Sequence, residues 1–272
     1  MNVPMLSLAA GVLPEFPPEV IVAAAAAAGF PASGIWFDPQ TWSDATTRHV
    51  RVGLETAGLV PLDIEVIWIR PGRRIEESAR QLIATGGELG ARNVLIVSVN
   101  PDAADTRHQF GVLCELAAAA GMRAALEFLM IGAVQTLEQA LAVVRDVGHP
   151  AGAVLVDALH LQRCGAEPED LAIVDPGLLP YAQICDGPAI LTEPNYQAWL
   201  EDAVDGRSAA GEGALPLRRL LRALPPGTPL SLEVRSRRYR EQFPDPVARA
   251  RAVLEQTCRF FAGASEGNDR KR

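Results

Sequence analysis

Residues 123–148 read RAALEFLMIGAVQTLEQALAVVRDVG, and this stretch contains one complete structural unit. Arg123–Phe128 is a short apolar run of the length a buried parallel strand needs, with a carboxylate, Glu127, near its end. Thr136-Leu137-Glu138-Gln139 has the capping-box pattern, in which two side chains satisfy backbone N–H groups that the first helical turn leaves free. Leu137–Val147 continues with apolar residues at helical spacing. Gly148 then provides the left-handed residue that ends a helix and turns the chain toward the next strand.

The same unit recurs on both sides. Strands are predicted at Met5–Ala10, Gly34–Phe37, Val60–Ile69, Asn93–Val99, Arg123–Phe128, Ala153–Asp157, Tyr181–Cys185 and Leu230–Val234. Helices follow at Pro18–Ala28, Thr47–Ala57, Ile75–Leu89, Gln109–Ala120, Leu137–Val147, Pro168–Ile173, Pro216–Ala223 and Pro246–Phe261. Gly29, Gly58, Gly90 and Gly121 close helices as Gly148 does, and Asp245-Pro246 opens the last one with a carboxylate cap and a proline at the first helical position. Eight βα units, with strands spaced by roughly 26–33 residues over the first seven, predict a single-domain α/β protein, a (β/α)8 TIM barrel. Its expected extent is residues 1–264, with 265–272 as a polar C-terminal tail expected to be disordered. No glycine-rich GxGxxG turn follows the first strand, which argues against an open dinucleotide-binding sheet. The seventh βα loop, Asp186 to Leu215, is longer than the rest and is expected to act as a lid.

Composition removes several functions. The formal charge of −8 and pI near 5.1 argue against nucleic acid or an anionic membrane as partner. Lysine occurs once, at Lys271, so Schiff-base, pyridoxal-phosphate and Walker-type chemistry lack their residue. Four scattered cysteines, no signal-like start and no apolar run long enough to cross a bilayer point to a reduced, cytoplasmic protein without a membrane segment.

Four acids fall at the ends of consecutive predicted strands: Glu127, Asp157, Asp186 and Glu233. In a barrel those ends share one mouth, and a buried carboxylate there is expensive unless a cation compensates it. With arginine as almost the sole cationic residue, the compensation comes from guanidinium groups or from a divalent ion such as Mn2+, Mg2+ or Co2+. His160, three residues after Asp157, is a candidate acid/base.

The segments Leu126-Glu127-Phe128, Val156-Asp157-Ala158-Leu159-His160, Gln183-Ile184-Cys185-Asp186-Gly187-Pro188, Gly211-Glu212-Gly213 and Leu232-Glu233-Val234 resemble the sugar phosphate isomerase/epimerase superfamily, the xylose-isomerase-like barrels. The resemblance implies one divalent metal, Mn2+ first, held by Glu127, Asp157, Gln183 and Glu233, with Glu127, Glu233 and His160 in the proton chemistry. Gln183 stands where sugar epimerases usually carry histidine, and resembles the branch of 3-dehydroshikimate and inosose dehydratases. Arg207 and Arg70 are candidates to bind a substrate carboxylate or phosphate, and Glu212 is a candidate for substrate binding or loop anchoring. The expected function is a metal-dependent isomerase or epimerase of a small polyhydroxy carbonyl compound, with a dehydratase on a cyclic hydroxyketone as second reading and a non-catalytic binding barrel as third. A homo-oligomer is compatible with the fold.

Overall fold

The computed structural model describes residues 4–72 and 74–269. Eight parallel strands close in sequence order: β1 (Leu6–Leu8), β2 (Ala32–Trp36), β3 (Val60–Ile69), β4 (Asn93–Ser98), β5 (Arg123–Glu127), β6 (Gly152–Asp157), β7 (Ala182–Ile184) and β8 (Leu230–Leu232). The ring is sealed by β1 against β8, with Ser7 opposite Ser231. Helices α1 (Pro18–Ala28), α2 (Asp44–Ala57), α3 (Glu77–Leu89), α4 (Ala103–Ala119) and α5 (Leu137–Val147) follow the first five strands.

The local chemistry read from the sequence operates as expected at most boundaries. Gly29, Gly58, Gly90 and Gly148 occupy the left-handed region as caps, with φ of 94°, 64°, 75° and 63°. At α5 the capping box is half formed: Thr136 Oγ1 accepts from Gln139 N, but the Gln139 side chain takes the N–H of Gln135 instead of Thr136.

Beyond β6 the helical pattern departs from expectation. Asp157 caps a short helix, α6 (Ala158–Arg163), directly on leaving the strand. Pro168–Ile173, opened by a Glu167/Asp170 capping box, is a 3-10 segment and not an α-helix; the chain is already extended at Val174, ahead of Asp175-Pro176. The long seventh loop contains α7 (Tyr196–Val204), after which come α8 (Leu217–Ala223), α9 (Arg237–Gln242) and α10 (Pro246–Asp269). Helix α10 continues past the boundary drawn at residue 264, and the last three residues of the polar tail lie outside the described region. Among the described residues no helix is long and apolar enough to cross a membrane. The four cysteines are free thiols.

Strand alternation decides what the lumen contains. Leu6, Leu8, Ile64, Val94, Ile96, Leu126, Val154, Val156, Ile184, Leu230 and Leu232 pack outward under the helices. The inward positions begin with an apolar group of Ala32, Leu62, Leu95, Ala125, Ala153, Leu155 and Tyr181. Several other inward residues are polar, including Ser7, Asp63, Glu65, Gln183 and Ser231, all buried. Polar residues are a departure from the usual TIM-barrel interior, where branched apolar side chains fill the layers.

Candidate active site

Glu127 ends β5, Asp157 ends β6, Gln183 lies within β7 and Glu233 follows β8, its N–H still bonded to Ile184 O at 3.0 Å. All four side chains are buried. Gln183 Nε2 donates to Glu233 Oε2 at 2.7 Å. Gly11, on the first βα loop, leaves room for this carboxylate: a Cβ at that position would stand 2.5 Å from Glu233 Oε1.

Asp157 is the most fully engaged of the set. Its Oδ1 accepts from Leu159 N and His160 N at 2.8 and 3.0 Å, capping α6. Its Oδ2 accepts from Arg207 Nη1 at 2.6 Å. Arg207 is itself fixed, Nε donating to Ala203 O at 2.8 Å and Nη2 lying 3.3 Å from His160 Nε2. A guanidinium can only donate, so that contact assigns the His160 proton to Nδ1. Burial, augmented by the Arg207 charge and opposed by Asp157, lowers the His160 pKa to about 4 and keeps the imidazole neutral.

Arg207, expected as a substrate-binding loop residue, is drawn into the site beside Asp157. Its side chain is 4% exposed and its guanidinium is committed to Asp157. Two antiparallel bridges draw it in, Asp186 with Ser208 and Gly206 with Ser236, folding the long loop onto the ends of β7 and β8. Asp186 is structural: it accepts from Gly187 N, Leu215 N and Gly211 N. Gly213 must be glycine here, because a Cβ would meet Asp186 and the Gly187 backbone at about 2.4–2.5 Å. Glu212 anchors the same loop through Ala209 N, Tyr239 OH at 3.0 Å, and Arg238. Arg70 stands apart from the acids and half exposed, 3.7 Å from Glu76, lining a cavity of about 460 Å3 with Trp36, Trp68 and Arg74. Glu127, Asp157, Gln183 and Glu233 do not line this cavity; Trp36, which does, has its ring 5.8 Å from the Arg235 guanidinium.

Two functional candidates escaped the sequence reading: Asp63 and Glu65 on β3, both buried and inward. The signal was present as two carboxylates at alternate positions of an otherwise apolar strand, LDIEVIWI. Burial and the neighbouring Glu233 raise the Asp63 pKa to about 7. Burial, Glu233 and Asp63 raise Glu65 well above the carboxylate range. Burial, Asp157 and Glu233 do the same to Glu127. Glu233 is raised by burial against the opposing pull of Arg207 and Arg235. Asp157 alone is lowered, because Arg207 and His160 overcome its burial.

These directions fix a pH dependence. A carboxyl raised from 3.8 to about 7 contributes stability that is complete below about pH 4 and is lost as pH rises through 7, roughly 4 kcal/mol for Asp63. The stability contributed by Asp157 has the opposite sign and is already complete above pH 4. The metal-free protein is therefore expected to lose stability between pH 5 and 7.5, and Asp63→Asn to flatten the slope. Urea midpoints in a chelator at the two pH values measure it; a midpoint that rises with pH would contradict the assignment.

The donor chemistry of the mouth suits a hard divalent ion: buried carboxylates and a carboxamide, all oxygen, with fewer guanidinium groups than acids. The arrangement suits it less well. Among the described residues no three His, Cys, Asp or Glu side chains converge to hold an ion. Asp157 would have to exchange Arg207 for the cation, and Gln183 would have to turn its carbonyl oxygen toward it.

A family model described as the xylose isomerase-like TIM barrel matches residues 22–261, and the chain belongs to that family. No curated protein matches the sequence. Among solved structures, a xylose isomerase-like TIM barrel/4-hydroxyphenylpyruvate dioxygenase fusion protein is 23% identical with TM-score 0.77; the match covers 93% of this chain and 42% of that one, so the chain spans less than half of the fusion. An IOLI protein with a bound zinc atom is 19% identical, TM-score 0.79, covering 94% of this chain and 97% of that one. The probable 3-DHS dehydratase AsbF from Bacillus anthracis is 17% identical, TM-score 0.70, covering 92% and 98%. Epimerases are also among the matching folds. At these identities the likeness establishes the fold.

Proposed function

We propose that the protein is a divalent-metal-dependent isomerase or epimerase of a small polyhydroxy carbonyl compound, working by proton transfer at the carbon next to the carbonyl. The observation that carries this reading is that Glu127, Asp157, Gln183 and Glu233 stand buried in or just after four consecutive parallel strands, with Gln183 Nε2 bonded to Glu233 Oε2. The metal bound in the IOLI structure and the epimerases of the same fold support it.

Those four residues would hold the ion, and its contribution would be Lewis-acid polarisation of the substrate carbonyl. Glu127 and Glu233 flank the reacting carbon and move the proton, one removing it and the other returning it. Displaced from Asp157, the Arg207 guanidinium offers parallel N–H donors to a substrate oxygen, while neutral His160 holds it in place. Arg70, with Trp36 and Trp68, binds the distal part of the substrate beside the mouth.

Gln183 favours a second reading, a dehydratase on a cyclic hydroxyketone, in line with the AsbF match. Solvent deuterium incorporation across ketoses, inososes and dehydroshikimate separates the two. Label without loss of water supports the isomerase; new ultraviolet absorbance from a conjugated product supports the dehydratase; neither, at saturating Mn2+, removes both. His160→Ala is expected to keep bound metal and to lower turnover at least tenfold in either case, and undiminished turnover would remove His160 from the site.

A further inference from the structure

The lumen just below the mouth holds a group of oxygens that the proposed reaction does not use. Asp63 Oδ1 and Oδ2, Glu65 Oε1, Ser7 Oγ, Tyr181 OH and Ser231 Oγ are buried, and none has a hydrogen-bond partner among the described residues. Asp63, Ser7, Tyr181 and Ser231 are each 0% exposed, and Glu65 is 4%. The side chains point inward because their strand neighbours Leu6, Leu8, Ile64, Ala182, Leu230 and Leu232 pack outward.

The group is drawn from β1, β3, β8 and the residue that precedes β7. Ser7 and Ser231 are paired across the β1–β8 seam. Asp63 is paired with Gly34 on β2, where a Cβ would lie 3.0 Å from Ala10 N and 3.4 Å from the Asp63 carboxylate. Tyr181 belongs to the same lumen cluster as Leu62, the residue before Asp63.

An unpaired buried carboxylate costs several kcal/mol, so two of them with three unpaired hydroxyls need a partner. Water would satisfy the hydroxyls and protonated carboxyls; a divalent ion would satisfy the same oxygens with the carboxyls ionised. Every unpaired atom in the group is an oxygen and there are six of them, the number and kind of donor an octahedral Mg2+ or Mn2+ takes. Two carboxylates also balance one divalent charge.

We propose that the barrel lumen is a second cation site, distinct from the mouth, in which Asp63 and Glu65 with the hydroxyls of Ser7, Tyr181 and Ser231 hold a hard divalent ion. The site does not depend on Asp157 or Gln183, so it stands or falls separately from the proposed function.

Titrating the chelator-stripped protein with Mn2+ at pH 7.5, and counting free ion by electron paramagnetic resonance, tests the site. Two ions per chain are expected in the wild type and one in Asp63→Asn/Glu65→Gln, an isosteric change that removes unpaired charge and should leave the fold intact. One ion is also expected in Glu127→Gln/Glu233→Gln. One ion in the wild type that survives Asp63→Asn/Glu65→Gln would overturn the lumen site and leave the mouth standing. One ion lost in that variant but kept in Glu127→Gln/Glu233→Gln would support the lumen site and overturn the mouth. No bound ion would overturn both, and would mean the carboxyls stay protonated. Should the lumen variant fail to fold, a Mn2+-soaked wild-type crystal decides: an anomalous peak between Asp63 and Glu65 supports the site, and its absence overturns it.

Discussion

Asp157→Ala is expected to destabilise the metal-free protein by roughly 3–5 kcal/mol, the largest stability effect of any single substitution at the mouth. The reason lies in what it leaves behind. Arg207 is 4% exposed and takes Asp157 Oδ2 at 2.6 Å, so removing the carboxylate leaves a buried guanidinium without its counter-charge. The same substitution removes the two hydrogen bonds that cap α6, a further loss of about 1 kcal/mol. The double variant Asp157→Ala/Arg207→Met should recover much of the deficit, because both charges leave together. Arg207→Met alone leaves Asp157 uncompensated, and Mn2+ should restore that variant's stability if the ion takes the place of the guanidinium. Chemical denaturation of the four proteins, with and without Mn2+, measures all of this. Asp157→Ala within 1 kcal/mol of wild type would mean that the pair is not held as described.

Glu127→Gln is expected to reduce turnover by roughly 10^2- to 10^4-fold, the range for loss of a positioned acid/base. The amide keeps the shape and the oxygen donor but cannot carry the proton. Folding should not suffer, since Glu127 is a buried carboxyl whose pKa is raised by burial and by the charges of Asp157 and Glu233; its neutral isostere relieves that repulsion. The measurement is exchange of the substrate's carbon-bound hydrogen with deuterated solvent, compared with the variant's unfolding midpoint. Exchange within threefold of wild type would exclude Glu127 from proton transfer. Lost exchange with a lowered midpoint would point to damage instead of chemistry.

Much of the fold was legible because its signals are local. The run from Arg123 to Gly148 contains a strand, a cap, a helix and a stop, each determined by residues within a few positions of one another. The same local chemistry gave α1 and α5 their expected bounds. It failed at Pro168–Ile173, where proline and acids suit an α-helix start but the chain turns extended at Val174 and only a 3-10 segment forms. Part of the site was legible for a similar reason. Acids at strand ends of a closed parallel barrel must share one mouth, so Glu127, Asp157 and Glu233 could be grouped from 1-D positions alone. Asp63 and Glu65 were overlooked although they alternate on β3, since a run that apolar reads first as core.

By itself the sequence determined the barrel, its eight units and the oxygen-rich chemistry of its mouth, because helix caps, strand alternation and residue type act over short distances along the chain. Only the tertiary structure decided that Arg207 joins Asp157, and that the hydroxyls of Ser7, Tyr181 and Ser231 and the carboxyls of Asp63 and Glu65 are buried without hydrogen-bond partners among the described residues. Arg207 is separated from Asp157 by 50 residues and reaches it through the fold of the long seventh loop. Charge pairing between such distant side chains depends on where whole elements pack, and no short window of sequence contains that information.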